Sequence, residues 1–321
     1  MTTMNTGRKG LSHTLSVLLA AGGTYLATEV QAGATFKIDE TKWVSLGAGL
    51  RTSYNSVEDA AASGSDDSSD FLLDSIRLYV NGQIHENIKL EFNTERQEDS
   101  SDDDLRVLDA VAKFEFSDYV NIWAGRHLPP SDRSNLDGPY YLGTWNFPLV
   151  QAYPAIFAGR DDGVAFWGQV DGGRFKYQVG AYQGCADNNP CNNGANDEDE
   201  LLYAGRLTYN FWDPEPGYYN SSSYYGAKDI LAVGLAAMTQ DDAVGATPAT
   251  AQDFFGWNLD FLLEKKLDNN GVATVEAAYY DYDLDDVVAG STGGLIDGDG
   301  YFLLGSYLFP QKIGIGQFQP C

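Results

Sequence analysis

The stretch "GWNLDFLLEKKLDNNGVATVEAAYYDYDLDD", residues 256–286, alternates apolar and polar side chains on either side of a short polar turn. Counting from Phe255, the residues Trp257, Leu259, Phe261 and Leu263 share its parity, while Gly256, Asn258, Asp260, Leu262 and Glu264 take the other. A period of two belongs to a strand, whose successive side chains point to opposite faces. After the turn at 267–271, Ala273, Val275, Ala277 and Tyr279 fall on one side and Val272, Thr274, Glu276 and Ala278 on the other. The pair predicts an antiparallel hairpin. A soluble sandwich gives the same alternation, so the rest of the chain has to say where the apolar face points.

Alternating runs recur near 43–54, 71–83, 86–97, 104–116, 119–126, 162–169, 174–183, 200–211, 228–239, 253–265, 271–283 and 299–309. That makes twelve strands, with a thirteenth starting near Gln317. No long segment of helical period intervenes, and no apolar run of about eighteen residues follows the N-terminus, so any membrane span must be built from strands. The chain reads as all-β. Connections after even-numbered strands are tight, at 84–85, 117–118, 171–173, 268–271 and 310–316, with 213–227 as the exception. Those after odd-numbered strands are long and acidic, as in "SVEDAAASGSDDSSD", "EDSSDDD", "CADNNPCNNGANDEDE" and "LDDVVAGSTGGLIDGDG". Short turns at one end and long polar loops at the other predict a transmembrane antiparallel β-barrel of the bacterial outer membrane.

The N-terminus agrees with export. Arg8 and Lys9 precede an apolar segment around residues 15–26, and Val30-Gln31-Ala32 offers the small or branched residues of a cleavage site. Residues 1–32 are expected to be a signal peptide, leaving a barrel domain of 33–321. The remaining chain carries 18 basic and 45 acidic side chains, a net charge of −27. That charge excludes nucleic acid as a partner.

Strand faces have the same character throughout. Ile76, Leu78 and Val80 oppose Arg77, Tyr79 and Asn81, and Ile88, Leu90 and Phe92 oppose Lys89, Glu91 and Asn93. In a wide barrel the apolar face meets lipid and the charged face lines a wet lumen. Aromatic residues near strand ends, Trp43, Tyr54, Tyr119, Trp123, Phe211, Trp212, Tyr279 and Tyr280, are expected to form interfacial girdles.

One connection stands apart. The loop at about 127–161 carries Pro129, Pro130, Pro139, Pro148 and Pro154 among many aromatics, too apolar for a solvated loop, and is expected to fold inward against the wall as a constriction. In "YVNIWAGRHLPPSDRS", "AGRDDGVAFWG" followed by "GGRFKYQVGAYQG", "RLTYNFWDPEPGYY" and "YFLLGSYLFPQKIGIGQFQP" the chain resembles the phosphate-selective porins of O and P type from Gram-negative outer membranes. The resemblance implies a sixteen-stranded, water-filled barrel, usually trimeric, with an inward third loop and rows of arginine and lysine. It also implies passage of small hydrophilic solutes or ions, with lipid and lipopolysaccharide as surroundings.

By parity Arg51, Arg77, Lys89, Lys113, Lys176 and Arg206 face the lumen, but so do Glu91, Glu95, Asp109, Glu115, Asp260, Glu264 and Glu276. Constriction candidates are likewise mixed: Arg126, Arg133 and Arg160 beside Asp132, Asp137, Asp161 and Asp162. Such a wall reads as solvated, mutually balancing charge, and the expected channel is general or weakly cation-favouring. Phosphate selectivity does not carry over.

Nothing else amounts to chemistry. His13, His85 and His127 have no partners at metal-ligand spacing, and no cofactor motif occurs. Acidic loop runs lack an EF-hand register and read as solvated charge. Cys185 and Cys191 sit in one expected extracellular loop in an oxidising compartment, which predicts a disulfide between them. Two rival readings stay open: a non-conducting surface or adhesive barrel and, for want of a serine and histidine pattern less favoured, a barrel enzyme. Because bacterial barrels close with an even number of strands, the thirteenth strand suggests a chain short of three or four strands, with twelve-stranded closure as the competing expectation.

Overall fold

The computed structural model describes residues 12–17, 33–96, 105–138, 140–150, 159–184, 196, 199–245, 247–285 and 297–321. Its strands are β1 (Ser12–Val17), β2 (Gly33–Lys37), β3 (Trp43–Val57), β4 (Ser68–His85), β5 (Ile88–Arg96), β6 (Leu105–Glu115), β7 (Asn121–His127), β8 (Asp161–Val170), β9 (Phe175–Tyr182), β10 (Leu202–Asn210), β11 (Ile230–Val244), β12 (Gln252–Lys266), β13 (Val272–Asp283), β14 (Gly298–Leu308), β15 (Lys312–Ile313) and β16 (Gly316–Gln317). One five-residue helix, α1 (Arg133–Asp137), follows β7. The twelve strands expected from alternation are β3 to β14, each overlapping its expected range.

These elements make one large antiparallel sheet. Its hydrogen-bonded path runs β1-β3-β4 and onward in chain order to β14, with β2 also on β3. Among the described residues the path does not return from β14 to its start. The run expected near residue 317 is β16, which pairs with β15 in a separate two-stranded sheet. β1 falls within the expected signal peptide and pairs with β3, Ser12 opposite Val57, a ladder that cleavage after Ala32 would remove.

The hairpin at residues 252–283 forms as its alternation requires. Lys266 pairs with Val272 across a turn in which Asn270 takes a positive φ of 62° and Leu267 N–H donates to the Gly271 carbonyl at 2.8 Å. Asparagine tolerates that backbone region better than most residues. A different constraint acts where β7 meets β6. Gly125 has φ 121°, and a Cβ there would stand 2.2 Å from the Ala110 carbonyl oxygen, so glycine alone allows the approach.

The described chain forms two compact units, residues 1–82 with 92–107 and residues 83–91 with 108–321. In the first, Ser75, Arg77, Asn81, Asn93 and Glu95 are buried while Ile76, Leu78, Val80 and Phe92 are exposed. The second follows the same rule. On β12, Asn258, Asp260 and Glu264 are buried and Phe255 and Leu259 are about half exposed, at 46% and 47%. On β10, Arg206, Thr208 and Asn210 are buried and Tyr203, Leu207 and Tyr209 exposed. Each unit thus buries its charged face and presents its apolar face outward, the reverse of a soluble sheet.

Candidate functional site

In the second unit the segment after β7 lies on the buried, charged face. Asp132 caps α1, its carboxylate accepting the Asn135 N–H at 3.2 Å, as short polar residues at helix starts do. The same carboxylate accepts the Tyr280 hydroxyl of β13 at 3.1 Å. Ser134 donates to Glu276 of β13, and the Tyr282 hydroxyl donates to the Val150 carbonyl at 3.0 Å, so the segment follows β13 along its length.

Arg133 is the centre of the arrangement. Its Nη1 and Nη2 each donate to Glu215 at 2.7 Å, Nη1 also reaches the Ser221 carbonyl at 2.7 Å, and its backbone N–H donates to Asp260 of β12 at 3.2 Å. Arg206 of β10 grips both oxygens of Asp260 and donates to the Ser131 carbonyl at 2.9 Å. These groups are about 98–99% buried. A planar guanidinium meeting a carboxylate at two points is the strong form of such a pair, and burial demands it.

Glu215 comes from a second segment that sequence reasoning did not place, residues 211–229 between β10 and β11. Lys176 Nζ donates to the Gly217 and Tyr219 carbonyls at 3.1 and 3.0 Å, Gln178 to the Tyr218 carbonyl at 2.6 Å, and the Tyr218 hydroxyl to the Leu128 carbonyl at 2.9 Å. The Tyr218 ring stacks on Trp123 at 4.4 Å, and Trp167 meets Trp123 edge-on at 5.8 Å. Trp123 and Tyr280 are therefore buried members of this interior, not the outward girdle residues their positions near strand ends suggested. Each shares parity with a polar neighbour, Asn121 and Glu276, and the two inward segments give both rings something to pack on. Tyr119, Phe211 and Trp212 are outward and exposed. The signal for the second segment was its length at an end of otherwise tight turns, with Pro214, Pro216 and a run of tyrosines.

Most of the remaining candidate residues lie on the same charged faces, but Arg126 and Asp162 do not: they share parity with the outward Ile122 of β7 and Val164 of β8. Lys113 pairs with Glu91 and sits 3.8 Å from the centroid of a Trp123 ring. Lys89 pairs with Glu115 at 2.6 Å, Arg160 with Asp109 at 3.0 Å, and Arg126 with Asp162 at 3.0 Å in a more open position. In the first unit Arg51 is buried, and Glu95 accepts from Arg77 at 2.8 Å, Arg106 at 3.0 Å and Ser75 at 2.8 Å. Carboxylates thus occupy most of the expected basic ladder. Glu264 and Glu276 are buried with no cation within ion-pair distance among the described residues, held instead by hydroxyls and backbone N–H groups. The disulfide expected between Cys185 and Cys191 lies outside the described residues.

His127 is buried with both ring nitrogens engaged. Nδ1 lies 3.1 Å from the Gly125 carbonyl and therefore donates to it, and Nε2 lies 3.1 Å from the Tyr182 hydroxyl. The site's chemistry is the fixing of charge on the buried face of the sheet.

Burial pushes the Glu215 carboxyl up, but Arg133, with help from Lys176 and the Tyr224 hydroxyl, outweighs it and holds the group at about 2 against an ordinary 4.5. A depressed folded value stabilises above the unfolded one and is lost as pH falls through the folded one. The 211–229 segment should therefore resist pepsin near pH 4.5 and be cut progressively faster toward pH 2. Glu215→Gln, which cannot ionise, should be cut readily across that range; equal resistance of the two proteins would show that this charge does not hold the segment.

No known family model matches the chain, and no curated protein matches it.

Proposed function

We propose that this chain is an outer-membrane porin, a β-barrel that lets small hydrophilic solutes or ions diffuse through a water-filled lumen. The observation that carries the reading is the reversal of faces in both units, with charge buried and Leu, Ile, Val and Phe outward. Moving a half-exposed side chain of that size from water to hydrocarbon gains on the order of 1 kcal/mol, and lipid would cover these outward side chains. The alternation of tight turns with long acidic connections and the resemblance to O- and P-type porins support the same reading. The segments at 128–150 and 211–229 narrow the bore, and its acid surplus favours cations. A trimer in the outer membrane of a Gram-negative bacterium, closed by sixteen strands, is the assembly that fits the resemblance.

One observation favours a second reading. The Arg133 and Glu215 clasp joins two segments over the inner wall, an arrangement that also suits a plugged, non-conducting surface barrel.

Planar bilayers separate the two. The porin reading expects stepwise ohmic channels, a reversal potential on the cation side in a potassium chloride gradient, and larger steps after deletion of residues 131–157. Silence from the whole chain with conduction from the deletion would establish the plugged barrel. Silence from both would end the channel reading.

A further inference from the structure

Asp137, the last residue of α1, carries a carboxyl group that nothing answers. Neither of its oxygens reaches solvent or makes a hydrogen bond among the described residues, although the residue as a whole is only half-buried. Its neighbours come from three elements. β13 presents Glu276, and the segment at 211–229 presents Ser222, Tyr224 and Tyr225. The third is α1 itself, whose Arg133 is spent on Glu215. The Ser222 hydroxyl has one proton to donate and gives it to Glu276 at 2.9 Å, and Ser134 donates to the same oxygen at 3.3 Å. Glu276 is thus the carboxylate these hydroxyls solvate, and Asp137 is the one left over.

Two neighbouring carboxylates with no cation to spare cannot both stay ionised away from water without a large cost. Burial, with Glu276 adding to it, pushes the Asp137 carboxyl well above the usual carboxylate range, and Ser222 and Arg133 oppose the shift without reversing it. Burial also raises both tyrosines, Tyr225 to about 12, so neither titrates near neutral pH. α1 stops at Gly138, whose φ of 77° is glycine's region. Beyond that point residues 140–150 rest on β13 and β14, with Gly143 against Leu304 and the Val150 carbonyl accepting the Tyr282 hydroxyl at 3.0 Å.

We propose that Asp137 is a proton-held latch: with its proton in place, residues 140–150 lie against β13 and β14, and as rising pH removes it they lift away by turning at Gly138. In the lifted state the carboxyl meets water and ionises at an ordinary value. Above that value docking must take up a proton, so the docked fraction falls as pH rises. Glu215, ionised above about 2, keeps the Arg133 clasp shut throughout. The movement belongs to the fold and does not require that the bore conduct.

Chymotrypsin digestion of the full chain in detergent micelles from pH 6 to pH 9, scored as cutting after Tyr140, Tyr141 and Trp145, tests it. The comparison is Asp137→Asn, which keeps the shape but cannot ionise. Dividing the parent's rate by the variant's at each pH cancels the protease's own profile. The quotient should rise about tenfold per pH unit, the linkage of one proton; a flat quotient would overturn the proposal. Should the variant fail to fold, the parent alone decides. Its amide hydrogen exchange, corrected for intrinsic pH dependence, should accelerate with pH across 140–150 and not across β12, and equal behaviour of the two regions would overturn the latch. Neither readout passes current, so silence in bilayers leaves the result intact.

Discussion

Arg133→Ala is expected to destabilise the folded protein by about 3–5 kcal/mol, the range for breaking a buried ion pair from one side. The figure is high because alanine strands two carboxylates. Glu215 loses both guanidinium bonds, and Asp260 keeps Arg206 but loses the second positive charge beside it. Neither can reach water, since both are about 98–99% buried. Denaturant unfolding in detergent, followed by gel mobility, would measure the loss. The paired change Arg133→Met with Glu215→Leu should recover most of it, because apolar replacement of a whole buried pair is often close to neutral. A loss below about 1 kcal/mol for Arg133→Ala would class the pair with solvated surface bridges and remove the clasp from the account.

Trp123→Ala should cost a similar amount, about 3–5 kcal/mol, for a different reason. The ring is 3% exposed, stacked on Tyr218, edge-on to Trp167 and His127, and covered by Lys113. Alanine leaves a void between the wall and the 211–229 segment that neither side can collapse to fill, and it deprives Glu115 of the indole N–H. Trp123→Phe keeps a ring without the donor and should cost roughly half as much or less. Proteolysis within 211–229 should rise in the alanine variant. If stability falls but that segment stays protected, its anchorage rests on Lys176 and Gln178 instead.

The wall was legible because its physics is local. Alternation at period two located β3 to β14, and parity alone assigned Asn258, Asp260 and Glu264 to one face and Phe255 and Leu259 to the other. β2 escaped because five residues next to an expected cleavage site carry too short an alternation to register. The interior was less legible. Composition marked 127–161 as a segment needing a surface, and Arg133, Asp132 and Arg206 were named as charged candidates, yet nothing in a one-dimensional pattern brings Glu215 to Arg133 across 82 positions. The aromatic residues failed for a related reason: proximity to a strand end does not say which face a ring occupies, whereas the parity of Trp123 with Asn121 does.

The spacing of these bonds along the chain also orders their formation. Wall ladders such as β12 with β13 join chain neighbours and close small loops, whereas the interior bonds join residues 82, 127, 142 and 148 positions apart. Closure entropy rises with loop length, and contacts of high sequence separation form slowly. The wall's hairpins thus have a kinetic lead over the interior, and the nascent protein passes through a stage in which Glu215, Glu276 and Asp260 still face water that has yet to be displaced. At that stage its carboxylates still meet solvent, so the acidity of the folding medium, more than that of the finished protein's surroundings, should govern how readily the interior sets.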